Sequence, residues 1–553
     1  MLFRSSLTCM NPLQYDLVVV GGGNAALSSA LSAAENGARV AVLERAPEEF
    51  RGGNSAFTAG TMRAVYSGLE DIQKLVPDLS DAEIAETDFG SYSTDQFFDD
   101  MARVTRFRTN PDLCEVLVTQ SNAALHWLRA KGVRFIPVYG AQSFKVGGKR
   151  KFWGGVTVGA VGAGVGLVDF LYAAAKRANI DVYYEAEAKK LIQDGRKVVG
   201  VEAVIGETVT QVKASAVVMA AGGFQANAQW RTRYLGPGWD LAKVRGTRYN
   251  TGGGIAMAIE AGAQSYGNWS GCHACEWDMN APDYGDRNVG DRFQKHSYQF
   301  SVMVNNEGQR FVDEGADFRN YTYAKYGRVI LNQPGQVAWQ IFDSKVFSLQ
   351  REEYHLKGAT KVRADTLEDL VKRMDGVNAQ QFLQTIREYN AAVMKDVPFN
   401  PNVLDGRGTK GLTVPKTNWA NTIEDGPFEA YGVTCGITFT FGGVKINTDA
   451  QVLDMSDRAI PGLYAAGEMA AGVFYFNYPG SSGLTNGTAY TFTVTASNSL
   501  GASPASAASA AVTPSAAVVG VPDMPVCCSF VDAGNGMAIL AFDAPASNGS
   551  AIT

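Results

Sequence analysis

At 553 residues the chain is too long for one hydrophobic core, and its 46% apolar and 19% charged residues are ordinary for a soluble globular protein of two or more domains. A formal charge of −6 gives no electrostatic reason to expect nucleic acid or an anionic membrane surface. Seven scattered cysteines make no disulfide framework, no apolar run reaches the ~18 residues of a spanning helix, and MLFRSSLTCMNPLQ lacks the apolar stretch of a secretory signal, so the expected location is cytoplasmic.

Tyr15–Val20 (YDLVVV) reads as a buried parallel strand, and the alanine-rich Ala25–Asn36 as a helix packed close against it. Between them Gly21-Gly22-Gly23-Asn24-Ala25-Ala26 matches G-x-G-x-x-G/A. Gly21 permits the tight turn, Gly23 lets backbone approach a pyrophosphate, and Ala26 allows close helix–strand packing. The helix N-terminus, at Asn24 and Ala25, adds partial positive charge. Ala38–Glu44 is the next strand, and Glu44 closes it about 20 residues on, where a carboxylate can accept bonds from ribose hydroxyls. Arg51-Gly52-Gly53-Asn54-Ser55 supplies a second glycine loop.

The same strand–turn grammar returns at Ala216–Phe224, with Ala221-Gly222-Gly223, and at Gly462–Glu468, with Ala466-Gly467-Glu468. Contacts from such distant segments suit a long, bent FAD better than a nicotinamide. Residues 266–428 are richer in aromatic and charged side chains, with amphipathic helices over Thr366–Met374 and Ala379–Val393, and read as an inserted α+β domain. Within it Cys272-His273-Ala274-Cys275 lacks the second ligand pair that a zinc site needs, so no metal is expected. The expected layout is a Rossmann-type α/β FAD-binding domain over 14–265, a capping domain over 266–428, a return over 429–485, and a different fold from 486 to 553. In that last stretch Thr488–Asn498 alternates at period two and Met537–Phe542 reads as another strand.

These residues resemble the fumarate reductase/succinate dehydrogenase flavoprotein family over about 14–485. Within that family the chain is similar to the FAD-dependent tricarballylate dehydrogenases, through RGGNSAFTAGTMR (51–63), RGTRYN (245–250), CHACEWD (272–278), RFVDEGADFRNYTYAKYGR (310–328), CGITFTFGG (435–443) and NYPGSSGL (477–484). The resemblance implies oxidation of a small polycarboxylate to its alkene by hydride transfer to FAD. It also implies a separate electron-transfer protein, in this family a membrane-associated one. The implied cofactor contacts are Gly21, Gly23, Asn24, Ala25, Ala26, Glu44, Arg45, Gly52, Gly53, Asn54, Ser55, Gly60, Ala221, Gly222, Gly467, Glu468, Ser482 and Leu484.

Arg319 matches the family's proton-transferring arginine and His273 its substrate-binding histidine; the plainer readings are a salt-bridged arginine and a packed core histidine. Arg245 and Arg248 could clamp a carboxylate, or sit on the surface. Thr440 and Tyr321 complete the expected substrate contacts, and Tyr321 and Tyr323 read by default as core aromatics. Phe439-Thr440 stands where fumarate reductases carry His-Thr, and Tyr478 where they carry a carboxylate-binding arginine. The family's Glu/Arg proton relay has no clear counterpart in Gln294–Ser297. Tyr478, in Asn-Tyr-Pro-Gly, also resembles the ketosteroid dehydrogenases and counts among the expected catalytic residues. Fumarate reductase and 3-ketosteroid 1-dehydrogenase activities therefore stay open.

The segments 486–514 and 521–553 resemble incomplete fibronectin type III modules, and the shared string at Gly483–Gly487 suggests recombination or an assembly error. In the family a helix following Pro479 points at the flavin. Its replacement by TAYTFTV leads us to expect weak FAD retention, with an inactive chimeric fusion as the extreme case.

Overall fold

Both faces of the YDLVVV run are apolar, and both are covered: Val18 and Val19 are fully buried at the centre of the first sheet. In the computed structural model, which describes residues 12–486, 497–498, 501–502, 529–534 and 537–541, the elements that position the site follow in chain order. They are β1 (Leu13–Val20), α1 (Asn24–Glu35), β2 (Val40–Leu43), α2 (Ala163–Arg177), β3 (Thr208–Met219), β4 (Ser265–Asp278), α3 (Arg319–Leu331), β5 (Phe428–Val444), β6 (Ala459–Ala465) and α4 (Ser482–Asn486). β1 lies between β2 and β3, parallel to both, with Val18 opposite Ala41 and Val217; β6 then runs parallel to β3, Val217 facing Leu463. Strands drawn from Leu13 at one extreme to Ala465 at the other thus end at one edge. Ala26, Ala30 and Ala33 of α1 are fully buried, and with no side chain beyond Cβ they bring the helix close to the sheet.

The second sheet is built around the 17-residue β5, whose neighbours are β4, Val337–Phe342, Lys361–Ala364 and Lys243–Val244. Its limits differ from the expected 266–428: Lys243–Val244 joins it from the preceding segment, and β5 carries it on to Val444. Both belong to this sheet by backbone register: Lys243 and Val244 lie opposite Gly436 and Ile437 of β5, and β5 pairs antiparallel with β4. The expected helices over 366–374 and 379–393 appear as Leu367–Val371, capped by Thr366, and Ala379–Ala392, capped by Asn378.

The chain forms two units, Met1–Ser506 and Ala507–Thr553. In the second, Ser529–Gly534 pairs antiparallel with Met537–Ala541, so Met537 does open a strand. In the first, Ser497–Asn498 pairs with Gly501–Ala502. Most of Thr488–Asn498 and of the fibronectin-like segments lies outside the described residues. The helix after Pro479 is present from Ser482 to Asn486, where the continuous description stops.

Candidate active site

The β1–α1 turn is fixed by backbone geometry. Gly21 has φ +111°, and a Cβ there would sit 2.4 Å from the Ala220 carbonyl oxygen. A Cβ on Gly23 would meet nothing nearer than Ser55 Oγ at 3.4 Å, so this glycine faces an open cleft. α1 has no acidic residue in its first turn and no side-chain cap from Gly23, which leaves first-turn N–H groups for a ligand. Ser55 Oγ accepts from Asn24 N at 3.0 Å, tying the second glycine loop to the helix start.

Glu44 is buried at the end of β2, where its carboxylate accepts from Ala46 N at 2.8 Å and Gly52 N at 3.5 Å; burial nevertheless pushes its pKa up. A carboxylate that accepts from two backbone N–H groups has lone pairs left for hydroxyls. The cleft runs from these residues past Gly53, Asn54, Ala221, Gly222, Gly467 and Leu484. Its far end is lined by Arg245, His273, Arg319, Tyr323, Phe439 and Tyr478. Glu468 stands between the two ends. It accepts from Thr440 N at 2.8 Å, with Gln225 Nε2 at 3.3 Å and Asn250 Nδ2 at 3.4 Å, and burial raises its pKa to about 7. An open glycine cradle, a helix start with no acidic residue in its first turn, a buried acceptor carboxylate and one continuous cleft fit a dinucleotide flavin. Gly23, Asn24 and Ser55 would hold its diphosphate and Glu44 its ribose.

At the reacting end, α3 turns Arg319 and Tyr323 to the same face, four residues apart. Arg319 is hemmed in by protein while one side stays open to the cleft; its guanidinium donates to Gln142 Oε1 at 2.8 Å. No carboxylate pairs with it among the described residues. Burial, and then the neighbouring Arg351 charge, lower its pKa to about 10, and its place as first residue of α3, at the positive end of the helix, acts in the same direction. His273 faces Phe439 across the β4–β5 register, just before a bulge that re-aims the strand. Its ring lies 4.9 Å from Tyr478, 5.0 Å from Tyr323 and 5.5 Å from Phe439, and neither ring nitrogen has a hydrogen-bond partner among the described residues. Burial, and next the Arg245 charge, hold its pKa well below the usual range, so it is neutral. The Tyr323 and Tyr478 hydroxyls meet at 2.5 Å. Arg245 is buried against Asp291, which accepts its Nε–H at 2.6 Å, and it also donates to Thr438 Oγ1 at 3.2 Å.

Several expected contacts lie elsewhere. Arg248 is exposed and stacks on Tyr284 at 5.3 Å, because the Thr247 N–H bonded to Asn54 Oδ1 at 2.9 Å orients this turn with Arg245 inward. Tyr321 is two residues from Arg319 and so points from the opposite side of α3, donating to Asp100 Oδ2 at 3.0 Å. Asp100 also receives Arg63, which is fully buried and reaches the Gly480 carbonyl at 2.9 Å. Gly52, Gly60, Ala26 and Ser482 stand behind the lining. Cβ atoms at Gly52 and Gly60 would strike Val168 at 2.6 Å and Ala163 at 2.7 Å, Ala26 packs in the core, and Ser482 Oγ donates to the Pro479 carbonyl at 2.8 Å. Thr440 lines the cleft but its backbone and hydroxyl go to Glu468. Arg45 lines the opposite end, paired with Glu187 at 3.2 Å. Gln142, Asp291 and Arg351 line the reacting end without having been expected there; each sits in or beside a helical turn too short to show a periodic signal.

The family model described as FAD binding domain matches residues 16–484. A probable fumarate reductase of Shewanella frigidimarina, Ifc3, is 30% identical over 495 residues, which is 85% of this chain and 72% of that protein. The open conformation of a flavocytochrome c3 fumarate reductase superposes with a TM-score of 0.67 at 27% identity, covering 87% of this chain and 77% of the other. The 3-ketosteroid Δ1-dehydrogenase of Sterolibacterium denitrificans gives 0.65 at 20% identity over 86% and 97%, a likeness of fold alone. The chain therefore belongs to the FAD binding domain family, as an FAD-dependent oxidoreductase of the fumarate reductase/succinate dehydrogenase type acting on CH–CH groups.

Proposed function

We propose that this chain interconverts a small organic acid and its alkene at the carbon–carbon bond near a carboxylate. The observation that carries the reading is Arg319, a guanidinium facing the cleft whose hydrogen bond goes to the neutral Gln142 and which has no carboxylate in ion-pair contact among the described residues. Its charge draws the carboxylate to that end, and its pKa of about 10 brings it within reach of proton exchange with a substrate carbon. When bound, FAD supplies the hydride acceptor, or the donor in the reverse direction. Going to alkene, one carbon gives up a hydride and its neighbour a proton, which passes to Arg319; the reverse returns both. His273, neutral and unbonded, orients a carboxylate or carbonyl oxygen, while Phe439 and the tyrosine rings keep water away.

Three guanidinium groups at this end, Arg245, Arg319 and Arg351, support the finer expectation of a polycarboxylate such as tricarballylate. The Tyr323–Tyr478 hydroxyl pair favours a second reading, a ring ketone held as in a 3-ketosteroid 1-dehydrogenase. Electrons would then pass to or from a separate protein, a membrane-associated one being the expectation; among the described residues no helix is long and apolar enough to cross a membrane. Anaerobic mixing with tricarballylate, succinate, butyrate and a 3-ketosteroid, followed by flavin absorbance, tests the assignment. Bleaching by one or more acids and not by the steroid is expected. Bleaching by the steroid alone would replace this reading with the second, and flavin that responds to nothing would favour the inactive fusion.

A further inference from the structure

Charge at the reacting end is arranged unevenly. Arg351 Nε lies 2.8 Å from Glu353 Oε1, and Arg245 is clamped by Asp291 on the short turn Gly290–Phe293. Both members of the second pair are nearly buried, with side chains 8% and 10% exposed, and the Trp277 ring backs the guanidinium at 5.9 Å. Three guanidinium charges against two carboxylates leave one, at Arg319. The rest of the wall is Phe439, Phe474, Tyr323 and Tyr478, with a neutral His273 between them. A second substrate carboxylate at this end would have to share Arg245 with Asp291 and bear the repulsion of that like charge.

We propose that Asp291 sets the number of carboxylates the substrate carries: by holding Arg245 it leaves Arg319 as the uncompensated cation, and the site selects acids with one carboxylate and an uncharged remainder lying on the aromatic wall. The proposal rests on the reading of Arg319 given above and replaces the polycarboxylate expectation, because two of the three guanidinium groups are already paired with carboxylates of the protein. Asp291 acts through Arg245, as a positioning residue for specificity.

The test uses the full-length flavin-loaded protein titrated with butyrate, succinate and tricarballylate, read as perturbation of the flavin spectrum. These acids differ in carboxylate number and undergo no reaction-rate bias in a binding measurement. Wild-type affinity is expected to fall in that order. In Asp291→Asn, freeing Arg245 is expected to tighten succinate relative to butyrate about tenfold, the scale of one charge-assisted contact, and Asp291→Glu should restore the wild-type order. Tighter wild-type binding of succinate or tricarballylate than of butyrate overturns the proposal, whatever the variant does. So does an Asp291→Asn protein with normal flavin content and an unchanged ratio. A wild-type protein that answers to none of the three acids overturns the Arg319 reading itself, a distinguishable outcome.

Discussion

Arg319→Gln is expected to cut turnover by about 10²–10⁴-fold, the usual scale for losing a positioned proton-transfer group, while leaving flavin content unchanged. The neutral amide can still donate a hydrogen bond but is shorter than the guanidinium and can neither take nor return a proton. Sign and pH follow from the lowered pKa of about 10. In the alkene-forming direction Arg319 must accept the proton, so the rate at saturating substrate should rise with pH until about 10 while carboxylate binding weakens as the cation is lost. In the alkene-reducing direction it must arrive protonated, so the rate should fall as pH passes about 10. Rapid-mixing measurements of flavin bleaching and recolouring across pH would show both limbs in wild type and neither in Arg319→Gln. Arg319→Lys keeps the charge but not the planar fork, and should recover binding more than turnover. Near-wild-type rates for Arg319→Gln would remove this residue from the chemistry.

Gly21→Ala is expected to cost about 3 kcal/mol or more and to strip the protein of FAD. The added methyl group meets backbone at 2.4 Å, an obstacle that cannot rotate away, and it also forces an L-residue to φ +111°. Relief would require β1 and β3 to separate where Val18 and Val217 pair. Gly206→Ala is the control: this hairpin glycine has φ +60° with open space around it, so only the conformational cost of ~1 kcal/mol applies and flavin should stay bound. Thermal unfolding and the visible spectrum of the two variants report both effects. Equal losses in both would mean that the turn at Gly21 is not the cofactor cradle.

Local signals were the legible ones. The strand, glycine triplet, alanine-rich helix and Glu44 lie within about 30 residues, and hydrophobic period and turn chemistry place them without tertiary information. Arg319, His273 and Tyr478 do share one pocket. Arg248 and Tyr321 lie outside the cleft lining: spacing in sequence says nothing about which way a turn residue points, and helix phase sets Tyr321 against Arg319. Asp291, Arg351 and Gln142 come from three segments far apart in the chain, and Arg63 reaches Gly480 across 417 residues. Such contacts exist only after the two sheets have formed. The second sheet runs across residue 428 because β5 is buried almost from end to end and carries no mark there.

The central claim is that backbone at Gly21–Asn24, with Glu44 behind it, holds an adenine dinucleotide. Titrating flavin-stripped, folded full-length protein with FAD and with FMN, and following flavin fluorescence, tests it most directly. Saturable, near-stoichiometric binding of FAD with little response to FMN, which lacks the adenosine half, is the expected result. Folded protein that ignores FAD, or that binds FMN equally well, would contradict the account.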